Sequence, residues 1–449
     1  MSKNPFDYPE IRSRLALFVS LESALSCIQV SKGFSQDFAY PIWHTIDFGT
    51  QKTLPQKDST ILKKYGHHIR VVKGVETQAH LGLLLDLEVS QLLDLDLKTT
   101  MDTLFQASCY DLLRQNQTTL TNLKIQSKNN EYSSAKFIFL DSLVSPQPSK
   151  LTTLSIRWLT LTRDSLVSIL RHCPDLDSID LWGTTLTPSR KSDDYQHTGL
   201  TTLQIKATEA IKAGSLPLLA HFPNLIRWGI GDNTTPSAFP SQELKESISK
   251  WCPRLKTLET NFTPSLLLNH LILNVFSGLA GLLFDYKEIS SNIILALLRT
   301  PSNWVHLTTY TGLIGSYDRH KDDGVAEVKD HFQSSSWMLQ SVVRSCPKLV
   351  TFCFPDHEMD MDEIELSPWG CTNLSDLRVR IKGLDTRDKV ERTLARLKNR
   401  KSHESLDTAT EDPESIDWEG TSIEARTVRH LLQFDKLKTI WLGTGVWEI

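Results

Sequence analysis

The chain has 449 residues, of which 40% are apolar and 23% are charged, and its net charge is −4. Such a composition is typical of folded proteins. It is neither basic enough for a general polyanion partner nor poor enough in apolar residues for disorder. Seven cysteines, an odd number, favour a reducing compartment over a disulfide framework. No charged stretch followed by an apolar run opens the chain, as a secretion signal would. We therefore expect a cytoplasmic and/or nuclear protein with no membrane partner, and the net charge gives no reason to expect a nucleic-acid partner.

Residues 1–50 have apolar side chains at helical spacing, and three short motifs follow one another within them. The motifs are Pro9-Glu10-Ile11 with Leu17-Phe18, then Val30-Ser31-Lys32-Gly33-Phe34, then Pro41-x-Trp43-x-x-Ile46. In this order they resemble the F-box, a small motif of short helices. The resemblance implies docking of a Skp-type adaptor of cullin-RING ubiquitin ligases through the residues that match its apolar positions: Pro9, Ile11, Leu17, Phe18, Leu25, Val30, Phe34 and Trp43.

The same N-terminal residues have a second interpretation. Every repeat array needs a covering element at its open end, and a short helical segment can supply it. The sequence therefore leaves two hypotheses for residues 1–50, an F-box-like docking segment or a plain cap.

From residue 69 onward the pattern L-x-x-L-x-L recurs, and its last two apolar positions accept Ile, Val, Phe or Trp. Ten of the twelve intervals between copies measure 23 to 31 residues, which resembles the longer, helix-containing leucine-rich repeat of ribonuclease-inhibitor-like proteins. In L-x-L both apolar side chains point to one face of a strand, and stacking neighbouring copies buries that face. We call the first apolar residue of each copy its anchor, and the predicted anchors are Ile69, Leu92, Leu120, Leu151, Leu176, Leu200, Leu225, Leu255, Leu279, Leu307, Leu349, Leu374 and Leu437.

The pattern predicts an α/β fold: a leucine-rich-repeat solenoid over residues 51–449, with a parallel concave sheet and helices on the convex side. A small all-α F-box-like segment over residues 1–50 precedes it. Return helices are predicted where apolar residues recur at i, i+3, i+4 and i+7, as from Leu166 to Cys173 and from Leu339 to Cys346. Two polar insertions interrupt the array, at about 313–336 and 384–420. The second begins with a charged helical pattern and then loses periodicity, which predicts a solvated excursion.

The position three residues before the anchor indicates what the cysteines do. In four copies it holds cysteine and in three others phenylalanine: Cys173, Cys252, Cys346, Cys371, Phe222, Phe276 and Phe434. A buried apolar slot accepts either a thiol or a phenyl ring, whereas a metal or redox site does not. We therefore predict that these cysteines are structural.

Strand residues that point away from the core are the candidate recognition surface. Their charges are mixed in sign, which favours a selective protein partner over a phosphate track. Because Arg and aromatic side chains dominate protein-binding energies, the candidates are Arg157, Asp180, Trp182, Arg227, Arg378, Arg380 and Trp441. We expect Leu181→Ala to cost about 2 to 5 kcal/mol of stability and Asp180→Ala to cost little, since only the leucine is predicted to face the core.

No sequence motif for a nucleotide, a catalytic metal or an activated nucleophile is present. We therefore predict that the protein is not an enzyme and has no catalytic, cofactor-binding or metal-binding residues. The F-box resemblance implies a substrate-recognition adaptor of an SCF-type ubiquitin ligase, whose repeats bind an unidentified target protein. The alternative is a non-enzymatic interaction scaffold whose N-terminus is only a solenoid cap.

Overall fold

The structure is a computed structural model of the chain. It describes residues 6, 8–16, 18–49, 63, 65–99, 102–127, 143–144, 148–187, 194–206, 209–210, 217–230, 241–260, 265–276, 278–284, 291–309, 335–404, 421–442 and 446–448. The chain forms two compact units: unit 1 comprises Met1–Leu225 with Lys250–Arg254, and unit 2 comprises Ile226–Ser249 with Leu255–Ile449.

The described part of unit 1 consists of short parallel strands and helices. Its strands are β1 (Thr45–Asp47), β2 (Val71–Val75), β3 (Asp94–Thr99), β4 (Asn122–Ser127), β5 (Thr153–Arg157), β6 (Thr160–Thr162), β7 (Ser178–Asp180), β8 (Thr185–Thr187) and β9 (Thr202–Gln204). Strands β6 and β8 pair with each other, and the others form one parallel sheet in chain order. Its helices are α1 (Pro9–Ala16), α2 (Leu21–Cys27), α3 (Lys32–Asp37), α4 (Ala39–Trp43), α5 (Gln78–Asp86), α6 (Thr103–Asn116) and α7 (Arg163–His172).

Unit 2 repeats this architecture. Most of helix α8 (Ser241–Trp251) belongs to unit 2, and its last two residues belong to unit 1. Helices α9 to α14 follow in unit 2: Ser265–His270, Ser291–Arg299, Ser335–Ser345, Met361–Leu366, Arg387–Glu404 and Ile423–Leu431. The strands are β10 (Arg227–Ile230), β11 (Thr257–Thr260), β12 (Gly281–Phe284), β13 (His306–Thr309), β14 (Thr351–Met359), β15 (Asp376–Ile381), β16 (Thr439–Leu442) and β17 (Val446–Glu448). They pair in chain order, all parallel except β17, which is antiparallel to β16. No helix of the described ranges is long and apolar enough to cross a membrane.

Within each unit, one backbone carbonyl links neighbouring repeats. With the anchor at position 0, the carbonyl at +1 accepts hydrogen bonds from the N–H groups at +1 and +2 of the following repeat. The Leu93 carbonyl accepts from Thr121 and Asn122, at 2.9 and 2.8 Å. In unit 2 the Ile226 carbonyl accepts from Lys256 and Thr257, at 2.9 and 3.0 Å. These bonds fix the parallel register, so that equivalent positions of neighbouring repeats lie side by side. The fold is thus an α/β stack of leucine-rich repeats, as the sequence predicts.

The apolar positions of the repeat form the core. All predicted anchors except the half-buried Leu255 are at most 4% exposed. The slot three residues before the anchor is equally buried, whether it holds cysteine or phenylalanine. Burial raises the pKa of the Cys173 thiol to about 11 and that of Cys252 to about 12. These thiols stay protonated at neutral pH and form no disulfide, as expected for side chains that fill the apolar slot.

One predicted anchor is wrong. Leu307 pairs with Leu282 on one side and Phe352 on the other. Both of these residues occupy position +3 of their repeats, so Leu307 does as well. The anchor of this copy is Trp304, which is 1% exposed and donates its indole N–H to the Leu297 carbonyl at 2.9 Å. The prediction failed because the template accepted an aromatic residue only at its later positions.

The second predicted insertion, 384–420, begins with helix α13, as its charged pattern indicates. This helix is not a solvated excursion, because one of its faces is buried: Val390, Leu394 and Leu397 are at most 6% exposed. The helix packs against α14, and an ion pair joins Arg392 to Glu424 at 3.4 Å. Residues 405–420 lie outside the described residues.

The ends of the first insertion and of the N-terminal helical segment differ from their predicted positions. The first insertion, 313–336, lies outside the described residues up to 334, and its last two residues begin α11. The boundary predicted at residue 50 falls after β1, which already pairs with β2 of the first repeat. The helical segment therefore ends before Thr45.

Candidate functional site

The N-terminal helical segment, residues 8–44 with α1 to α4, has a small apolar core of its own. Phe38 is buried in it, and Phe34 stacks on Phe38 with ring centres 5.5 Å apart. Ser20 and Ser31 begin α2 and α3 as N-caps. The side chain of each accepts a backbone hydrogen bond from three residues further on, at 3.2 and 3.3 Å.

Arg12 holds α1 against α3. Its Nε donates to Asp37 Oδ2 at 2.5 Å, and its guanidinium lies 5.6 Å from the centre of the Phe34 ring. Its Nη1 donates to the Phe6 carbonyl at 2.6 Å. Both charged side chains are largely shielded from solvent, so salt screens the pair less than an exposed one. These contacts fix which side of α1 faces inward.

The other side of α1 is apolar and exposed. Ile11 and Leu15 are one helical turn apart, and Tyr8 and Phe18 extend their line in both directions. We call these four residues the α1 apolar row, and Phe18 is its most exposed member at 85%. Together with Phe6 and Val30, the row accounts for half of the twelve large apolar side chains that are exposed among the described residues. Such a concentration is typical of a protein-binding surface.

The structure separates the residues implied by the F-box resemblance. Pro9, Ile11, Phe18 and Val30 are exposed, whereas Phe34 and Trp43 are half-buried in contacts within the chain. Leu17 and the side chain of Leu25, in α2, lie outside the described residues. Two members of the apolar row, Tyr8 and Leu15, were not among the predicted docking residues. The spacing of Leu15 four residues after Ile11 was the available signal.

Helix α4 joins the segment to the first repeat. Trp43 stacks on Tyr65 with ring centres 5.5 Å apart, and Tyr40 meets His68 edge to face at 6.3 Å. The chain then enters β1, in which Ile46 is buried. Contact with the repeats is thus made at the α4 end of the segment, while the α1 apolar row stays exposed.

The polar strand face, which we define as the strand residues at +2, +4 and +6, carries ion pairs in unit 1. Lys124 Nζ lies 3.4 Å from Asp96 Oδ2, with side chains 41% and 21% exposed. Arg157 Nε donates to Asp180 Oδ2 at 2.6 Å, with side chains 38% and 12% exposed. In both pairs the carboxylate is recessed and the base protrudes. The exposed tips at these two places are therefore cationic, although each pair is neutral.

Asp180 was expected to be dispensable for stability, and the structure corrects that expectation. The side chain points away from the core, as predicted, but the residue is 9% exposed. Its carboxylate accepts hydrogen bonds from Arg157, from Ser155 Oγ at 3.1 Å and from the Trp182 N–H at 2.9 Å. The repeat template gives the direction of a side chain, but it does not report how far neighbouring side chains fold over it.

Sequence reasoning missed Trp158, which follows Arg157 directly. Its φ is +62°, in the left-handed region that bulky residues rarely adopt. Its ring covers Gly183, where a Cβ atom would come within 2.4 Å of the ring. Its N–H donates to the Trp182 carbonyl at 3.2 Å. Backbone strain of this kind is concentrated at functional sites, and no position of the repeat template indicates it.

The candidates in unit 2 are also engaged by their neighbours. Arg227 Nη2 lies 2.8 Å from Glu259 Oε2, with side chains 40% and 3% exposed, so a recessed carboxylate again supports a protruding base. Arg378 pairs with Asp376 on the same strand at 3.1 Å. Trp441 lies beside Arg378 in the register, and Arg380 lies on β15 opposite Glu358 of β14.

His430, on α14 in unit 2, predicts a pH dependence of stability. Its ring lies edge-on to Trp369 and Phe434, with centres 4.6 and 5.5 Å away, and burial lowers its pKa from 6.5 to about 4. The unfolded chain binds this proton more tightly than the folded one, so stability is complete above pH 6.5 and falls as the pH drops toward 4. We expect a loss on the order of 2 kcal/mol over this range in urea unfolding. In His430→Phe this component should be absent, and an unchanged pH profile would contradict the assignment.

The described residues contain no group of three or more His, Cys, Asp or Glu side chains that could hold a metal ion. No protein-family profile matches the chain, and no curated protein matches it in sequence. Similar solved structures include the leucine-rich repeat-containing protein LegL7 from Legionella pneumophila, which is 12% identical. The alignment covers 75% of this chain and 91% of that chain, with a TM-score of 0.31. The leucine-rich repeats of this chain are accordingly identified from its own strand register and its buried columns.

Proposed function

We propose that this protein is the substrate-recognition adaptor of an SCF-type ubiquitin ligase, acting in the cytoplasm and/or the nucleus. In this proposal the N-terminal helical segment docks on the Skp-type adaptor of a cullin-RING ligase, and the repeats hold a target protein for ubiquitination. The chain itself performs no chemistry and needs no cofactor, because its task is to bring two proteins together.

The α1 apolar row is the observation that carries the docking half of the proposal. A helix that lays an apolar face into a groove is a common mode of protein recognition. Full burial of a large, exposed apolar side chain contributes about 1.5 to 3 kcal/mol. Phe18, at 85% exposed, offers most of that amount, and Ile11 and Leu15, at 40% and 37%, add a smaller part. The ion pair of Arg12 with Asp37 holds this row outward before any partner arrives, which reduces the ordering cost of binding.

The polar strand face supports the target-binding half. In unit 1 it crosses seven strands among the described residues, a width of about 29 Å at the usual strand spacing. That width suits an interface of standard size. It presents Arg157 beside Trp158 and Trp182, the residue types that contribute most often to binding energy.

The alternative is an interaction scaffold whose N-terminal segment is only a cap. In its favour, α4 already closes the first repeat through the stack of Trp43 on Tyr65. A cap gives no reason, however, for an apolar row that takes no part in this contact and in which Phe18 is 85% exposed. Exposed apolar surface is an aggregation liability unless a partner covers it.

Phe18→Ala should reduce the affinity of the full chain for a purified Skp-type adaptor about tenfold or more, as expected for loss of a central aromatic contact. Calorimetric titration measures this directly. Because Phe18 makes few contacts within the chain, the variant should have the same circular dichroism spectrum and melting temperature as the wild-type protein.

Leu104→Ala is the matched control. Leu104 lies on α6 of the repeats and is 68% exposed, so its replacement removes a similar apolar surface from a different place. We expect unchanged adaptor affinity in this variant. If the wild-type chain does not bind the adaptor, or if both variants lose affinity equally, the docking proposal is wrong and the scaffold remains.

A further inference from the structure

We propose that the polar strand face of unit 1 binds an acidic protein segment. This inference deepens the proposed function by naming the chemistry of the target, and it takes from that proposal only the choice of the repeats as the target site. Three features of the polar strand face support it: the recessed carboxylates, the row of residues at +6 and the strained tryptophan beside Arg157.

The register places side chains at +6 next to one another on adjacent strands. Lys98 lies beside Gln126, and Gln126 lies beside Arg157. In the next two repeats the same position holds Trp182 and Lys206, which follow the last residues of β7 and β9 by two positions and are half-buried. The row thus contains three bases, one amide and one indole, and no acid. Lys124 adds a fourth base at +4 of β4, one strand from Asp96.

Two of the acids on this face, Asp96 and Asp180, are arranged to support the bases. Asp96 and Asp180 are less exposed than Lys124 and Arg157, their respective partners. A partner therefore meets ammonium and guanidinium groups that are already oriented. Asp180 occupies Nε and Nη2 of Arg157, and Nη1 has no hydrogen bond within the described residues. A carboxylate of the partner can accept from this remaining donor, as in paired guanidinium recognition.

The aromatic residues add an apolar contact beside the charged one. The Trp158 ring is seated on Gly183, and the Trp158 N–H is bonded to the Trp182 carbonyl, so the two tryptophans are held together at the end of the strand. An acidic segment that also carries an aromatic or aliphatic side chain would satisfy both parts of this surface.

A protein fits this surface better than a nucleic acid. Four carboxylates, those of Glu76, Asp94, Asp96 and Asp180, lie among the bases, and Gln126 interrupts the row. A continuous phosphate backbone would pass close to these carboxylates, whereas a folded or extended protein can place its acids opposite the protruding bases only. The net charge of −4 also disfavours general attraction of polyanions.

The test uses the full-length chain and an immobilised random copolymer of glutamate and tyrosine, with polyglutamate and single-stranded DNA for comparison. We expect binding in the order copolymer, polyglutamate, DNA, with affinity for the copolymer falling as salt is raised. Lys124→Gln, Arg157→Gln and Trp182→Ala should each weaken copolymer binding by about fivefold to tenfold. The control is Arg387→Gln, which removes an 80% exposed charge from α13 and should leave binding unchanged.

Copolymer binding that is absent, or equal in all four variants, overturns the inference. Stronger binding to DNA than to the copolymer also overturns it, in favour of a nucleic-acid surface. Arg157→Gln leaves the Asp180 carboxylate without its base and can impair folding, so Lys124→Gln keeps the test decisive. Adaptor affinity is measured on the same proteins. If adaptor binding is absent while copolymer binding is present, the docking proposal is wrong and the acidic-segment inference stands. If copolymer binding is absent while adaptor binding is present, the inference is wrong and the docking proposal stands.

Discussion

Trp304→Ala is expected to lower the free energy of unfolding by about 3 to 5 kcal/mol, the usual cost of removing a large buried aromatic side chain. Trp304 is the anchor of its repeat and is 1% exposed. Its loss leaves a cavity that the neighbouring repeats cannot close without shifting. It also removes the indole donor bonded to the Leu297 carbonyl near the end of α10, and an unsatisfied buried acceptor adds to the cost.

Urea unfolding followed by circular dichroism measures the total loss. Because a chain of this length does not necessarily unfold in one step, hydrogen exchange should localise the effect to α10 and β13, on either side of Trp304. Trp304→Phe keeps a ring but removes the donor, so it should cost less than the alanine variant. A loss below about 1 kcal/mol for Trp304→Ala would contradict the role of Trp304 as the anchor of this repeat.

Asp180→Ala is expected to lower the free energy of unfolding by about 2 to 3 kcal/mol, because three donors lose a shared acceptor. They are Arg157, Ser155 Oγ and the Trp182 N–H. Leu181→Ala, at a position that is 0% exposed, should cost about 2 to 5 kcal/mol. Neighbouring residues with side chains on opposite faces of the chain should therefore have similar effects for different reasons.

A double-mutant cycle separates the parts of the Asp180 effect. Asp180→Ala, Arg157→Ala and the double variant should show a coupling of about 1 kcal/mol, since the arginine is more than one third exposed and solvent weakens the pair. The remaining loss belongs to Ser155 and the Trp182 backbone. A stability change within about 0.5 kcal/mol of zero for Asp180→Ala would restore the expectation drawn from the repeat pattern.

The repeat pattern predicted the core because burial and side-chain direction are local properties of a strand. Alternation of apolar residues in β3 and β4 is enough to place Leu95, Leu97, Leu123 and Ile125 inside. The turn from α7 into the next strand was equally readable, since Cys173 ends the apolar stripe and Pro174 cannot continue the helix. The anchor of one repeat was misplaced at Leu307 because the pattern required an aliphatic residue there. In the folded stack the volume of the side chain determines which residue fills the anchor position, and Trp304 is large enough to fill it.

The candidate site was less predictable because exposure depends on contacts between elements. Phe18 and Phe34 are both aromatic matches to one motif, yet Phe18 is exposed and Phe34 packs inside. The difference follows from Arg12, which reaches across to Asp37 and covers the Phe34 ring. No spacing rule encodes a contact between residues 25 positions apart. The same holds for Asp180, which is buried by side chains of the preceding repeat.

The carbonyl at +1 that accepts two N–H groups gives every seam within a unit a link made by backbone atoms, whatever side chains the repeat carries. The Val305 carbonyl accepts from Val350 and Thr351 at 2.8 and 3.1 Å, although 45 residues separate Val305 from Val350, far more than one ordinary repeat spans. Sequence can therefore be lengthened between strands without disturbing the seam. By the same reasoning a whole repeat could be duplicated or deleted during evolution and the flanking repeats would rejoin through the backbone alone. The width of the polar strand face can thus change in steps of one repeat while the residues at its two ends are retained.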